Sequence, residues 1–186
     1  MSLSTLLHKL VITLLLLVPP YVTNGSPPLI TKIFKRQCTP IDLGRNFLDK
    51  RRIFGDGKTY EGFVGGVLTG YTVTLLVYKI VEEVRPKLAA SITGLLTPLD
   101  VLVICVLALL GDLLGAFIKR RLGLPRGAPA PLLDQLDFLM FPLLYIYYKV
   151  GIRDYVIYIM AIAITVGMHV FTNFVAYKLG IKSEPW

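Results

Sequence analysis

The stretch LLTPLDVLVICVLALLGDLLGAFI, residues 95–118, decides the fold class of this chain. It holds only two charged side chains, Asp100 and Asp112, in 24 residues. A helix needs about 20 predominantly apolar residues to cross the hydrocarbon core of a bilayer, so this stretch is predicted to span a membrane. Four further apolar runs repeat the pattern, at about residues 3–22, 62–84, 136–150 and 152–177.

The run 136–150 is the weakest of the five, because it is short and contains Pro142. A proline lacks a backbone N–H and frees one carbonyl group, which neighbouring helices can satisfy inside a bundle. We therefore include this run. The chain is predicted to be all-α, a polytopic membrane helix bundle of five transmembrane helices.

The composition agrees with a membrane protein, since 54% of the 186 residues are hydrophobic and only 17% are charged. The mean hydropathy is +0.65. Successive apolar runs leave no stretch for a second core, so residues 1–186 are predicted to form a single integral membrane domain. The net charge of +8 lies mostly in loops between the runs, which favours lipid head groups and phosphates over nucleic acid as partners.

The first apolar run has two interpretations. Lys9, the leucines after it and the small polar residues near Ser26 are also typical of a signal peptide. However, the run is long for the apolar region of such a peptide. We therefore predict a membrane helix here.

The basic residues predict the orientation of the bundle. Fourteen of the 20 fall in the loop at about 23–61, the loop at about 119–135 and the C-terminal tail, and six fall on the other side. Because Lys and Arg are enriched in cytoplasmic loops, both large loops are predicted to be cytoplasmic. The N-terminus would then lie outside a cell membrane and the C-terminus inside it.

Three aspartates are predicted to meet near the cytoplasmic face. Asp112 lies within an apolar run, where an ionisable residue is costly and suggests a function. Asp134 and Asp137 are three residues apart and share one face of a helix. Three converging carboxylates repel one another unless a cation holds them, and Mg²⁺ prefers hard oxygen ligands. We predict Asp112, Asp134 and Asp137 as catalytic metal ligands, with helix capping as the alternative for one of the last two.

The sequence RIFGDGKT, residues 52–59, leads into the second apolar run. It ends like a phosphate-binding P-loop, but Arg52 stands where the first glycine of that motif belongs, and a membrane span follows. The physical features still suit phosphate, because glycines expose backbone N–H groups and a helix N-terminus favours anions. The predicted phosphate cradle comprises Gly55, Asp56, Gly57, Lys58 and Thr59. A simple glycine turn with a cytoplasmic lysine is the alternative.

Small residues at four-residue spacing predict close helix packing. Gly62, Gly66 and Gly70 follow this spacing in the second run, and Gly111 and Gly115 repeat it in the third. Such glycines let helix backbones approach one another. We expect them to bring the second predicted helix against the third.

Taken together, these motifs resemble the CTP-dependent cytidylyltransferases of membrane lipid synthesis. Gly111-Asp112 with Lys119-Arg120, followed by the Asp-x-x-Asp at 134–137, resembles part of the phosphatidate cytidylyltransferase signature, with Gln135 in place of its arginine. The archaeal branch, the CDP-archaeol synthases, is more similar in length and helix number. Its loop motif resembles residues 42–45 and 51–59, followed by Gly62-Phe63.

The resemblance implies an activity and a set of site residues. CTP and 2,3-bis-O-geranylgeranylglycerol 1-phosphate, an isoprenoid diether glycerol phosphate, would give CDP-archaeol and pyrophosphate. Mg²⁺ on the three aspartates would hold the CTP phosphates, and apolar grooves would take the lipid chains. The further nucleotide- or phosphate-binding residues would be Arg45, Asn46, Arg52, Lys119 and Arg120.

Two alternatives come from other classes. A polyprenol or lipid kinase would use similar phosphate chemistry with ATP. A small transporter would need polar residues through the full membrane depth, whereas here the charges gather near one face. A scaffold without chemistry would leave the aspartates unexplained.

Overall fold

The computed structural model describes residues 2–34, 38–93, 95–125 and 127–178. This part of the chain is helical and contains no β-strand, only isolated bridges in the first loop. The helices are α1 (Leu3–Gly25), α2 (Pro27–Ile33), α3 (Tyr60–Val84), α4 (Pro86–Thr93), α5 (Pro98–Arg121), α6 (Leu133–Tyr145) and α7 (Tyr155–Lys178). A π-helical turn, Ile146–Val150, continues α6.

Helix α5 lies at the centre of the bundle and carries the most deeply buried side chains. Ile104 and Cys105 are fully buried, and Leu109 is almost so. Helices α1, α3 and α6 pack around α5, and α7 packs on α1 and α6. The long apolar run in the middle of the chain therefore forms the core that the other helices cover.

Four helical segments of the described chain are long and apolar enough to cross a membrane. They are Leu3–Ile33, Tyr60–Val84, Pro98–Arg121 and Tyr155–Val175. The run predicted at 136–150 is instead divided between α6, which has 13 residues, and the π-helical turn. The helical bundle is thus confirmed, and four of the five predicted spans are long enough in the structure.

Helix α1 continues to Gly25, three residues beyond the predicted end of the first span at about residue 22. Pro19 has no N–H for the carbonyl of Leu15, so an ordinary helix would lose that bond. The hydroxyl of Tyr78, on α3, donates to this carbonyl at 3.0 Å. The neighbouring helix therefore replaces the donor that is missing at Pro19.

The glycines of α3 and α5 allow close packing, in part with helices other than the expected ones. A methyl group at Gly70 would overlap Thr23 of α1. Methyl groups at Gly111 and Gly115 would overlap Asp137 of α6. The expected packing of α3 against α5 is present, since Gly66 lies beside Leu109, but Gly70 admits α1, and Gly111 and Gly115 admit α6.

The predicted first loop is partly helical, because α2 occupies its beginning. Residues 38–59 form the remaining irregular part, and Thr59 caps α3 by accepting a bond from the Gly62 N–H at 3.1 Å. Four of the basic residues used to predict the orientation lie outside the described residues: Lys35, Arg36, Arg126 and Lys182.

Candidate active site

A polar cavity of about 280 Å³ lies where the first loop, the C-terminal half of α5 and the start of α6 meet. All three predicted metal ligands line it. So do most of the predicted phosphate-binding residues. The charged lining residues are Asp56, Lys58, Asp112, Lys119, Arg120, Asp134 and Asp137.

Two lysine–aspartate ion pairs line this cavity. Lys58 Nζ lies 2.6 Å from Asp112 Oδ1, which joins the first loop to α5. Lys119 Nζ lies 2.9 Å from Asp134 Oδ1, which joins α5 to α6. The side chains of Lys58 and Asp112 retain 28% and 20% of their exposure, so both can still meet a ligand.

Asp134 also has a structural role. Its Oδ2 accepts from the backbone N–H of Ala130 at 2.9 Å, just before α6. With Lys119 on its other oxygen, this carboxylate has two partners inside the protein. Asp134 lies in the first turn of α6, but neither of the two α6 aspartates caps this helix with a side-chain hydrogen bond.

Asp137 is different, because no described basic side chain lies within ion-pair distance of it. Its carboxylate accepts one bond, from the N–H of Phe138 at 2.7 Å. Gly111 and Gly115 leave the space on α5 into which this residue fits. The close approach of the α5 and α6 backbones therefore places at the cavity a carboxylate that has no positively charged partner among the described residues.

The first loop is organised by a residue to which the sequence assigned no role. The Asp42 side chain is fully buried and accepts bonds from Arg52 Nη2 at 2.6 Å and from the N–H groups of Phe54 at 3.0 Å and Gly55 at 2.8 Å. Burial raises the pKa of Asp42, but these bonds outweigh it and hold the pKa well below its usual value. An additional bond from the Gly44 N–H is typical of an Asx turn, the signal that could have identified Asp42.

Several predicted phosphate-binding residues therefore have partners within the loop. Arg52 pairs with both Asp42 and Asp56, and its pKa is raised mainly by the hydrogen bond to Asp42. Gly55 adopts a positive φ of 96° and donates to Asp42, while Gly57 lines the cavity. These contacts hold the loop in the shape that presents Lys58.

Arg45 and Asn46 lie elsewhere on the same loop. Both are exposed, and neither lines the polar cavity. Their backbones contribute to the loop, since Arg45 accepts from the Ile53 N–H and Asn46 forms an isolated bridge with Arg52. The structure does not bring these two side chains to the other predicted residues.

Arg121 is a further structural residue that the sequence analysis missed. Its guanidinium lies 5.0 Å from the ring centre of Phe47 and 4.7 Å from that of Phe117. It also donates to the backbone carbonyls of Arg51 and Arg52. Arg51 in turn donates to the Arg121 carbonyl at 2.7 Å, so the loop is fastened to the end of α5.

An apolar groove of about 630 Å³ adjoins the polar cavity. Side chains of α5, α6 and α7 line it, among them Leu114, Leu136, Leu143 and Ile162. Asp137 lines both the groove and the polar cavity. The arrangement can accept a molecule with an anionic end and a long apolar part.

The donor chemistry of the cavity suits a hard cation, although its carboxylates are spread out. Among the described residues, no three His, Cys, Asp or Glu side chains lie close enough to hold one ion together. Mg²⁺ usually takes only one or two carboxylates and completes its shell with phosphates and water. The uncompensated Asp137 and the neighbouring Asp112 fit that mode.

The fold and the site together define a membrane-embedded enzyme that acts on phosphorylated lipids. The family model described as CarS-like, CDP-archaeol synthase, matches residues 6–186. The chain belongs to the CDP-archaeol synthase family.

Individual relatives agree over nearly their whole length. A CDP-archaeol synthase of Pyrobaculum calidifontis is 47% identical over 97% of this chain and 100% of its own. The CDP-archaeol synthase of Sulfolobus acidocaldarius is 40% identical over 95% and 98%. A solved intramembrane enzyme for archaeal membrane lipid biosynthesis superposes with a TM-score of 0.70 at 33% identity, covering 86% of this chain and 90% of that one. The predicted family, the enzymatic class and the formation of CDP-archaeol are confirmed.

Proposed function

We propose that the polar cavity transfers CMP from CTP to an isoprenoid diether glycerol phosphate. The observation that carries this proposal is the position of Asp137, which lines both the polar cavity and the apolar groove. A lipid phosphate can place its chains in the groove and its head group in the cavity. A soluble phosphorylated substrate would have no apolar chains to place in the groove.

In the reaction, an oxygen of the lipid phosphate forms a bond to the α-phosphorus of CTP. The bond from that phosphorus to the oxygen bridging to the β-phosphate breaks, and its electron pair leaves with pyrophosphate. The attacking oxygen is already anionic, so no strong general base is required. The barrier lies in bringing two polyanions together, which positive charges at fixed positions lower.

Lysine and arginine side chains provide these charges. Lys58 lies at the entrance of α3, and Lys119 and Arg120 lie at the end of α5. In the pairs described above, each lysine is neutralised by an aspartate. A phosphate entering the cavity would draw Lys58 away from Asp112 and leave that carboxylate available to a cation.

Asp112, Asp134 and Asp137 are the residues that would hold Mg²⁺ beside the CTP phosphates, with Asp137 as the principal ligand. When bound, the ion neutralises developing negative charge and orients the phosphates. Arg52 is best explained as support for the loop, since Asp42 and Asp56 occupy it. Arg45 and Asn46 stay predicted contacts of the nucleotide from the exposed side of the loop.

The bundle is proposed to have five spans, with α6 and its π-helical turn forming the short fourth one. Residues 133–150 together make 18 helical residues, close to the lower limit of a span. The polar cavity would face the cytoplasm. A thiol reagent that cannot cross membranes tests this, because Cys38 lies partly exposed in the first loop while Cys105 is fully buried. Labelling of Cys38 in intact cells from outside would contradict the orientation.

The activity itself is tested by incubating purified protein with CTP labelled in its cytosine, the diether lipid phosphate and Mg²⁺. Label should enter the lipid fraction, and pyrophosphate should appear in equal amount. ATP labelled in its γ-phosphate is the control, since a lipid kinase would transfer that label instead. Transfer from ATP without transfer from CTP would contradict the proposal.

A further inference from the structure

A second cavity, of about 370 Å³, includes the Lys58–Asp112 pair in its wall and shares no lining residue with the apolar groove. Lys58, Gly57 and Asp112 line both this cavity and the polar one. Its remaining walls come from the end of α1, from α2, from the first loop, from the first turn of α3 and from α5. A ligand bound to Lys58 in the polar cavity can therefore extend directly into the second cavity.

The lining combines apolar surfaces with a few polar groups. Pro27, Phe63 and Leu113 supply apolar walls, and Asn24, Thr31 and Thr59 supply polar atoms. Small-molecule sites usually have this composition, in which a few polar groups fix the orientation of a largely apolar contact. A flat heteroaromatic ring with a polar edge meets both requirements, whereas a lipid chain would leave the Asn24 amide unpaired.

The polar groups differ in whether they are already used. Thr59 Oγ1 accepts from the Gly62 N–H, and Thr31 Oγ1 donates to the carbonyl of Pro28 at 3.0 Å. The side-chain amide of Asn24 makes no hydrogen bond to any other described residue. This amide carries both donor and acceptor atoms, so it can pair with the edge of a nucleobase.

We propose that the second cavity holds the nucleoside part of CTP and that Asn24 contacts the base. This inference rests on the proposed function, because it places the remainder of the nucleotide whose phosphates occupy the polar cavity. The lipid groove adjoins the polar cavity at Asp137, and the nucleoside cavity adjoins it at Lys58 and Asp112. The two substrates would thus approach the α-phosphorus from different sides without competing for space.

The test compares two ligands on one variant. In Asn24→Leu, the KM for CTP is expected to rise roughly tenfold, the effect of losing one hydrogen bond. Inorganic tripolyphosphate lacks a nucleoside, so its inhibition constant should stay unchanged in the same variant. Asn173→Leu, the same substitution on α7 away from both cavities, should leave the KM for CTP at the wild-type value. Asn24→Gln, which keeps the amide, should recover part of the loss.

An unchanged KM for CTP in Asn24→Leu would overturn the proposal. So would an equal weakening of CTP and tripolyphosphate, because the substitution would then act through the phosphate site. Failure of the proposed function looks different, since wild-type protein would then transfer no CMP from CTP at all.

Discussion

Asp42, in the first loop, and Asp137, at the start of α6, are both shielded carboxylates, but their surroundings differ. Asp42 accepts bonds from the Arg52 guanidinium and from three backbone N–H groups. Asp137 accepts one bond from its neighbour and meets no cation among the described side chains. A buried charge is costly unless it is paired. Asp42 has such a partner, whereas Asp137 has none among the described residues.

The difference separates residues that build the site from those that can act in it. A carboxylate whose lone pairs are all engaged stabilises one conformation of the chain. A carboxylate with free lone pairs at a cavity is available to an external cation. Substitutions at the two positions should therefore affect different measurements.

Asp137→Asn should have the largest effect on turnover. We expect kcat to fall by roughly 1000-fold, about 4 kcal/mol of barrier, because a metal ligand and its charge are lost. The thermal midpoint in detergent should stay near the wild-type value, since no ion pair is broken. Near-normal turnover would contradict the metal assignment and place Asp137 with Asp42 as a structural residue.

Asp134→Asn tests whether the two aspartates of α6 have different roles. Because Asp134 already pairs with Lys119 and accepts from the Ala130 N–H, its substitution should lower the thermal midpoint as well as turnover. A loss of turnover without any loss of stability would give Asp134 the same role as Asp137.

Lys58→Ala should have the next largest effect, a loss of roughly 100-fold in kcat/KM for CTP, because a phosphate contact disappears and Asp112 loses its partner. Lys58→Arg should recover activity only in part, since the planar guanidinium of arginine contacts phosphate with a different geometry from the ammonium group of lysine. Lys50→Gln, which removes a positive charge from an exposed position of the same loop, is the control and should retain wild-type kinetics. Equal losses in Lys58→Ala and Lys50→Gln would mean that the loop contributes only general charge.

Asp42→Asn should act mainly on stability, with a loss of roughly 2–3 kcal/mol in the local opening free energy of the first loop. Hydrogen exchange of residues 38–59 measures that free energy. The folded pKa of Asp42 lies below its unfolded value of about 4, so its contribution is complete above that pH and is lost as the pH falls further. The variant should lack this acid sensitivity, and an unchanged exchange rate at pH 7 would contradict the structural role.

Gly115→Ala should have the smallest of these effects, roughly 1–2 kcal/mol of stability, because its methyl group overlaps Asp137 and separates α5 from α6. Turnover should fall as well, since the carboxylate moves. Gly167→Ala is a matched control, because a methyl group there meets nothing within 4 Å. Thermal unfolding of the two variants gives the comparison, and equal midpoints would contradict the close packing.

The sequence was sufficient to predict most of the helices and the members of the polar cavity. Long apolar runs are a local signal, and they predicted α3, α5 and α7 with small differences at their ends. Asp112 stood out because charges are rare within such runs, and Asp137 because it lies three residues from Asp134 on one helix face. These features depend on residues near one another in the chain, which hydropathy and spacing can represent.

The features that the sequence did not reveal depend on distant partners. The carbonyl freed by Pro19 in α1 has a partner because Tyr78, 63 residues from Leu15, supplies a hydrogen bond. The role of Asp42 depends on Arg52 and on backbone groups that only the folded loop brings to it. Helices α2 and α4 are short, so their apolar patterns are too brief to be separated from loop sequence.

The lysine–aspartate pairs of the described residues share an order along the chain, unlike the Arg121–Asp49 pair, in which the acid comes first. In Lys9–Asp154, Lys58–Asp112 and Lys119–Asp134, the base always precedes the acid. A protein emerges from the ribosome N-terminus first, so each of these aspartates is synthesised after the lysine that will neutralise it. Each of these three acids can thus be paired as soon as its segment is made, whereas Asp137 enters the bundle without such a partner among the described side chains.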